Sequence, residues 1–172
     1  QMVNFYGLPS SVGAGMTDAK LPDYQAGYDK ALAIALAAQS GCNHVSESSG
    51  MLGCLMALSL ESLVRDTDLL GAVLRTVRGI EVNEETLSYK VIEQVVQGEG
   101  HFLRNQQTLD LMRSGYEYPD LADRHSVEEW HTAGSPDIRE QAGKRVKSIL
   151  SSHYPQYFDA AADAKIRANF PI

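Results

Sequence analysis

The apolar positions of this chain change their spacing near residue 50. Val3 to Leu8 (VNFYGL) is a continuous apolar and aromatic run that breaks at Pro9-Ser10-Ser11, and it reads as a buried strand entering a loop that carries Gly13 and Gly15. Tyr24 to Gln39 follows Pro22 and a capping Asp23, runs through Ala26, Leu32, Ile34, Leu36 and Ala38, and stops at Gly41, which predicts a helix. That helix is apolar nearly all round and needs cover on most sides, as between a sheet and other helices. Cys42 to Ser46 is a second strand candidate, ending at Glu47-Ser48-Ser49-Gly50. Strand, helix, strand is the order of a parallel pair with a helical crossover.

Past Gly50 the apolar runs repeat at helical spacing. Met51 to Arg65 reads as a long helix, and Leu70, Val73, Leu74 and Val77 form a further stripe stopped by Gly79. Asn83 caps a helix with Glu84 and Glu85 in its first turn and Leu87, Val91, Ile92 and Val95 as its inner face, before Gly98. Thr108 to Arg113 is a shorter helix, and Ser126-Val-Glu-Glu129 has the form of a capping box. Ser135-Pro136 opens a helix whose stripe is Ile138, Ala142, Val146, Ile149 and Leu150, closed by Pro155. The expected organisation is an α/β part over residues 1–50 and a helical part over 51–172 packing on it. A parallel sheet of two strands does not stand alone in water. Further strands are therefore expected from an upstream part of the same polypeptide or from a partner chain, and a start at Val3, already inside a predicted strand, points to truncation.

Composition narrows the classes without choosing one. A chain of 172 residues fits one domain, and 44% hydrophobic with 22% charged residues is ordinary for a folded globular protein. A net charge of −7 with scattered Lys and Arg supplies no footprint for a nucleic-acid backbone. The longest apolar stretch, Ala31 to Ala38, is far short of the ~20 residues that span a bilayer. No charged leader or cleavage site follows Gln1, and Cys42 and Cys54 are too few to staple the chain, so the expected setting is the cytoplasm with both thiols reduced.

Candidate chemistry sits where the predicted strands end. In parallel α/β folds, functional groups sit on the loops after the C-terminal ends of strands. The first such loop, Pro9 to Lys20, has glycines that let the backbone approach a ligand, with Asp18 and Lys20 to orient polar groups. Its alternative is a glycine-rich surface connection. In the second, His44 to Gly50, Glu47 stands among hydroxyls as a general base, a partner for a cation, or a solvated residue. Cys42, His44 and Cys54 have soft zinc-type donors, but their spacing fits no common zinc pattern, and Cys54 reads as a small residue inside a helix. No metal is expected. His101, just past a helix end, is placed to line a pocket, and Phe5 and Tyr6 on the first predicted strand are placed to offer aromatic faces to a cation.

Three ordered stretches carry a resemblance: GAGMTDAKLPDYQAGYDKAL (Gly13 to Leu32), SSGMLGCLMALSLESLVRDTDLLGAVLRTVRGIEVNEETL (Ser48 to Leu87) and GEGHFLRNQQTLDLMR (Gly98 to Arg113). Together with Tyr118-Pro-Asp-Leu-Ala-Asp-Arg124 and Trp130 they resemble the C-terminal third of the trimethylamine methyltransferase family. The resemblance implies an α/β fold in which this chain is a C-terminal fragment of a (β/α)8 TIM barrel, with two parallel strands and mostly helices. It also implies transfer of a methyl group from a methylated amine to the cobalt of a corrinoid (cobalamin) carried by a separate protein, with no cofactor bound directly.

The archaeal trimethylamine enzymes carry pyrrolysine in the loop that aligns with Gly13 to Lys20, and Met16 stands at its position here. A thioether forms no imine adduct, so the resemblance points away from neutral amines and toward a quaternary amine such as glycine betaine, which already leaves as a neutral amine. Phe5, Tyr6 and Glu47 are then the candidates for the cation, and the glycine-loop amides, Asp18 or His101 for the remaining polar groups. The implied partners are the cognate corrinoid protein and the small methylated amine, with a homo-oligomer as the expected assembly. Trimethylamine as substrate, and a non-catalytic helical docking or oligomerisation module, are the alternatives.

Overall fold

A computed structural model describes residues 1–170. In chain order it contains α1 (Met2–Phe5), β1 (Ser11–Gly13), α2 (Tyr24–Gln39), β2 (His44–Ser46), β3 (Met51–Leu52), β4 (Ala57–Leu58), α3 (Leu60–Arg78), α4 (Tyr89–Gln97), α5 (Gln106–Ser114), α6 (Val127–Thr132), α7 (Ile138–Ser152) and α8 (Ala160–Asn169). This is a mixed helix and strand chain, compatible with an α/β fragment. Positions 171 and 172, the end of the expected helical part, lie outside the described residues.

The predicted strand–helix–strand unit is present, but its first strand lies later in the chain. Val3 to Phe5 belongs to α1, not to a strand, and Gly7 at φ 66° ends that helix, with the Leu8 amide donating to the Val3 carbonyl at 3.1 Å. A short apolar run has no period that separates strand from helix, and here the left-handed glycine decides. β1 then pairs in parallel with β2 in the register Ser11 to His44, Val12 to Val45 and Gly13 to Ser46.

Between them α2 starts where expected, with the Asp23 side chain accepting from the Ala26 amide at 3.3 Å. It stops at Gly41 (φ 79°), where the Cys42 amide reaches back to the Ala37 carbonyl at 3.2 Å. Its inner stripe is Ala26, Lys30 and Ile34. The all-round cover expected of this helix is not found among the described residues: Tyr24, Leu32 and Leu36 are 85%, 62% and 60% exposed.

The second correction lies between Gly50 and Arg78. Met51 to Arg65 is not one helix. Met51 and Leu52 pair antiparallel with Leu58 and Ala57, so a short hairpin precedes α3, and the two strands expected become two plus a hairpin. Gly53, Cys54 and Leu55 all have positive φ at its turn, a conformation that helical spacing cannot reveal. Cys54 is accordingly an exposed turn residue and not a helical core residue. Helix α3 opens at Ser59, whose side chain accepts from the Ser62 amide at 3.1 Å, and continues unbroken through the stripe predicted as a separate helix.

The helix predicted from Asn83 divides as well. The Asn83 side chain accepts from the Glu85 and Thr86 amides, both at 2.9 Å, but it caps only a turn, and α4 starts at Tyr89. The capping box at Ser126 and Glu129 and the helix after Pro136 are present as predicted.

The core is small. Ala14, Ile34 and Val73 form one cluster, packed by alanines of α2 with Val45, Leu69 and Leu70, while Ala19, Ala26 and Leu52 form a second. Helix α3 packs on α2 and on α7, whose buried residues are Ala142 and Val146. Among the described residues no helix is long and apolar enough to cross a membrane.

Candidate functional site at the strand ends

Two loops leave the parallel pair at the same end, one after β1 and one after β2. The first crosses as an extended segment in which Gly15, Thr17 and Ala19 are buried while Met16, Asp18 and Lys20 alternate outward. Its inner face is held firmly. Thr17 Oγ1 donates to Asp29 Oδ2 at 2.7 Å and accepts from the Ala19 amide at 3.0 Å, while the Thr17 and Ala19 carbonyls accept from the Cys54 and Gly53 amides. The hairpin thus serves as the backing of the loop.

The second loop, Glu47 to Gly50, bends sharply. Glu47 has φ 49° and Gly50 φ 78°, and the left-handed region is unfavourable for a glutamate unless its surroundings hold it there. What holds it is visible at both ends. The Ala14 amide donates to the Ser46 carbonyl at 3.4 Å, and the Gly50 amide donates to Asp66 Oδ2 at 2.8 Å.

The loops meet at the glycines. A β-carbon on Gly13 would lie 2.8 Å from Glu47 Oε2 and 3.2 Å from Met16 Cε, and one on Gly15 would overlap the backbone of Glu47 and Ser48. The thioether methyl of Met16 and the carboxylate of Glu47 therefore converge over Gly13, with both side chains reaching solvent. A soft methyl beside a solvent-reaching carboxylate can contact an alkylated cation.

The family model described as trimethylamine methyltransferase (MTTB) matches residues 1–170. The chain belongs to the trimethylamine methyltransferase family. It is 39% identical over 163 residues to the trimethylamine methyltransferase MttB of Methanosarcina barkeri (strain Fusaro / DSM 804), covering 93% of this chain and 32% of that protein. It is 33% identical over 168 residues to the glycine betaine methyltransferase of Desulfitobacterium hafniense (strain Y51), covering 98% of this chain and 35% of that protein. The chain thus spans about a third of the length of the curated relatives it matches.

Within this family member the other sequence candidates are dispersed. Phe5 and Tyr6 stack edge to face at 5.3 Å, but on α1, and both are exposed. Asn4 donates to the Ser40 carbonyl at 2.7 Å, which seats α1 at the C-terminal end of α2, where the chain turns into β2. Phe5 and Tyr6 therefore lie by the leading ends of the strands, away from Met16 and Glu47. His101 follows α4, half exposed, with Glu99 at 3.4 Å as its charged neighbour. Asp18 shares the outward face of the first loop with Met16.

His44 Nδ1 lies 2.9 Å from Ser11 Oγ, and the Cys42 thiol points at the Ser10 and His44 carbonyls. Among the described residues no three His, Cys, Asp or Glu side chains gather as metal ligands. The carboxylates held below their ordinary range lie elsewhere: the His125 amide and ring lower Asp123, and the Ser126 amide and hydroxyl lower Glu129.

Sequence reasoning missed one constellation. Lys30 is 1% exposed, and its ammonium reaches Asp66 Oδ2 at 2.6 Å and Ser62 Oγ at 3.1 Å. A signal was present: Lys30 interrupts an Ala- and Leu-rich helix on the same stripe as Ala26 and Ile34, and Ser62 and Asp66 lie one turn apart on the next helix. A lysine on an inner stripe needs an acid opposite it.

Proposed function

We propose that this chain is the C-terminal part of a methyltransferase that moves a methyl group from a quaternary amine such as glycine betaine to the Co(I) of a corrinoid carried by a partner protein. The observation that carries the reading is the convergence of Met16 and Glu47 over Gly13 at the ends of parallel strands. Met16 occupies the position where the resemblance implies pyrrolysine, and a thioether offers no electrophile to a neutral amine. A quaternary ammonium needs none. The Co(I) electron pair forms the bond to the methyl carbon, the N–CH3 bonding pair stays on nitrogen, and a neutral tertiary amine departs.

In this reading Glu47 is the counter-ion of the cation and Met16 packs on its methyl groups, while Asp18 sits at the rim. Phe5 and Tyr6 lie too far toward the other strand ends to close an aromatic cage with them, so further walls come from outside this chain. The corrinoid is a co-substrate and is assigned no binding residue here.

We further propose that β1 and β2 are the last strands of a (β/α)8 barrel. Support comes from the parallel pairing across a helix and from the placement of candidate residues on the trailing loops. An open groove beside β1, lined by Val12, Gly13, Ala33, Leu36 and Ala37, and the uncovered apolar stripe of α2 point the same way. Trimethylamine is the second reading, favoured by the 39% identity to a trimethylamine methyltransferase.

One experiment separates them. The full-length polypeptide is mixed with a reduced corrinoid protein, and methyl-cobalt formation is followed by absorbance with glycine betaine, other quaternary amines or trimethylamine as donor. Methylation with a quaternary amine and none with trimethylamine is expected. Transfer from trimethylamine alone, or from no amine, overturns the proposal.

A further inference from the structure

We propose that Lys30 and Asp66 are positioning residues for Glu47, an inference that rests on the reading of Glu47 as the counter-ion of the substrate. A single carboxylate oxygen, Asp66 Oδ2, gathers groups from three parts of the chain: Lys30 Nζ of α2 at 2.6 Å, Ser62 Oγ of α3 at 3.3 Å, and the backbone amide of Gly50 at 2.8 Å. The first two would be enough to staple α2 to α3. The third ties the staple to the end of the loop that carries Glu47.

The geometry explains why that bond matters. Between the β2 ladder, which ends at Ser46, and the anchored Gly50 lie only Glu47, Ser48 and Ser49. The loop has little freedom, and Glu47 is held at φ 49°, a conformation that an unconstrained glutamate leaves readily. Gly50 is gripped twice, since its carbonyl also accepts from the Ser59 amide at 3.0 Å. Release of its amide lets Glu47 relax to negative φ, which swings the carboxylate away from Gly13 and Met16. The buried Lys30 side chain fixes Asp66 in place, because its Nζ lies 2.6 Å from the oxygen that the Gly50 amide uses.

A bland inter-helix ion pair would share the burial but would be indifferent to the loop. Two double variants of the full-length protein distinguish the roles, each removing both buried charges together so that no orphan charge remains. Lys30→Met with Asp66→Leu deprives the Gly50 amide of its acceptor. Lys30→Met with Asp66→Asn keeps an amide oxygen there.

The first variant is expected to raise KM for the quaternary amine by about tenfold with a smaller change in kcat, and the second to restore most of it. On a Glu47→Gln background the first variant is expected to add nothing, because the group it positions has already lost its charge. Hydrogen exchange at the Gly50 amide, read without substrate, is expected to speed up in the Leu variant only. Equal KM values and equal Gly50 exchange in the two variants overturn the positioning role, as does full additivity with Glu47→Gln. If Gly50 exchange responds as expected while Glu47→Gln leaves KM unchanged, the counter-ion reading has failed and the inference about substrate falls with it.

Discussion

Gly15 and Glu47 touch backbone to backbone: a β-carbon at residue 15 would overlap the Glu47 carbonyl oxygen and the Ser48 main chain. Neither neighbour is a flexible side-chain end, so the clash cannot be relieved by a rotamer change. Gly15→Ala is expected to part the two loops, destabilising the protein by about 1–3 kcal/mol in denaturant unfolding and abolishing the amine binding proposed for the full-length protein. Gly27→Ala is the control. It lies inside α2 with nothing within 4 Å of the added carbon, and it is expected to stabilise by about 0.5–1 kcal/mol. Comparable losses of binding in both variants would refute the contact as the cause.

Removal of one partner from the Lys30 and Asp66 pair should be far worse than removal of both. Asp66→Ala leaves an ammonium in a site where Lys30 is 1% exposed and is expected to cost about 3–5 kcal/mol. Lys30→Met with Asp66→Leu should cost about 1–2 kcal/mol, since no charge is orphaned and the remaining loss is the acceptor of the Gly50 amide and the Ser62 hydroxyl. Urea midpoints of the single and double variants test this, and equal destabilisation by the two would count against the orphaned buried charge as the main cause of the loss.

The parts of this fold that the sequence discloses are those with a local chemical signature. Asp23, Gly41, Ser126 and Glu129 mark helix ends by side-chain or backbone chemistry that acts within a few residues, and the structure has them at the predicted positions. The β3–β4 hairpin is hidden because Met51, Leu52, Leu55 and Leu58 are apolar enough to satisfy a helical stripe, while the partners of its turn, the Ala19 and Thr17 carbonyls that accept from the Gly53 and Cys54 amides, are distant in sequence. The strand expected at Val3 is a helix for the same reason, a short apolar run without a period. At the site, the sequence points to Met16 and Glu47 separately. Their convergence depends on Gly13, paired with Ser46 in the parallel register, and on Gly15, packed on the Glu47 and Ser48 backbone, relations that the order of residues does not express.

Asp68 makes a backbone anchor that a hydrogen-exchange measurement can isolate. Its carboxylate accepts from three consecutive amides, those of Asp120, Leu121 and Ala122, at 3.0, 2.8 and 3.0 Å. This joins α3 to the segment before α6 and buries Leu121. Asp68→Ala removes every acceptor at once and is expected to destabilise by about 1.5–3 kcal/mol, with exchange at those three amides accelerating well before that of α3. Unchanged protection at Leu121 would show that the segment is held by packing alone.

Acid should unpick the start of α6 through Glu129. The Ser126 amide and hydroxyl each donate to Glu129 Oε2 at 2.8 Å, and these bonds hold its carboxyl below the usual glutamate value. Asp123 is lowered in the same way, first by the His125 amide and then by its ring. A carboxylate whose folded pKa is depressed contributes stability above its unfolded pKa, and that contribution is lost as pH falls through the folded value. The loss therefore belongs to the window below the ordinary carboxylate range, and neutral to mildly acid solutions should leave the cap intact. In carboxyl-detected NMR titrations Glu129 and Asp123 are each expected to have a midpoint below the ordinary value for its residue type, with the Ser126 amide shift following Glu129. Glu129→Gln should remove the Ser126 response while leaving that of Asp123, and a Glu129 midpoint at or above the ordinary glutamate value would contradict the capping account.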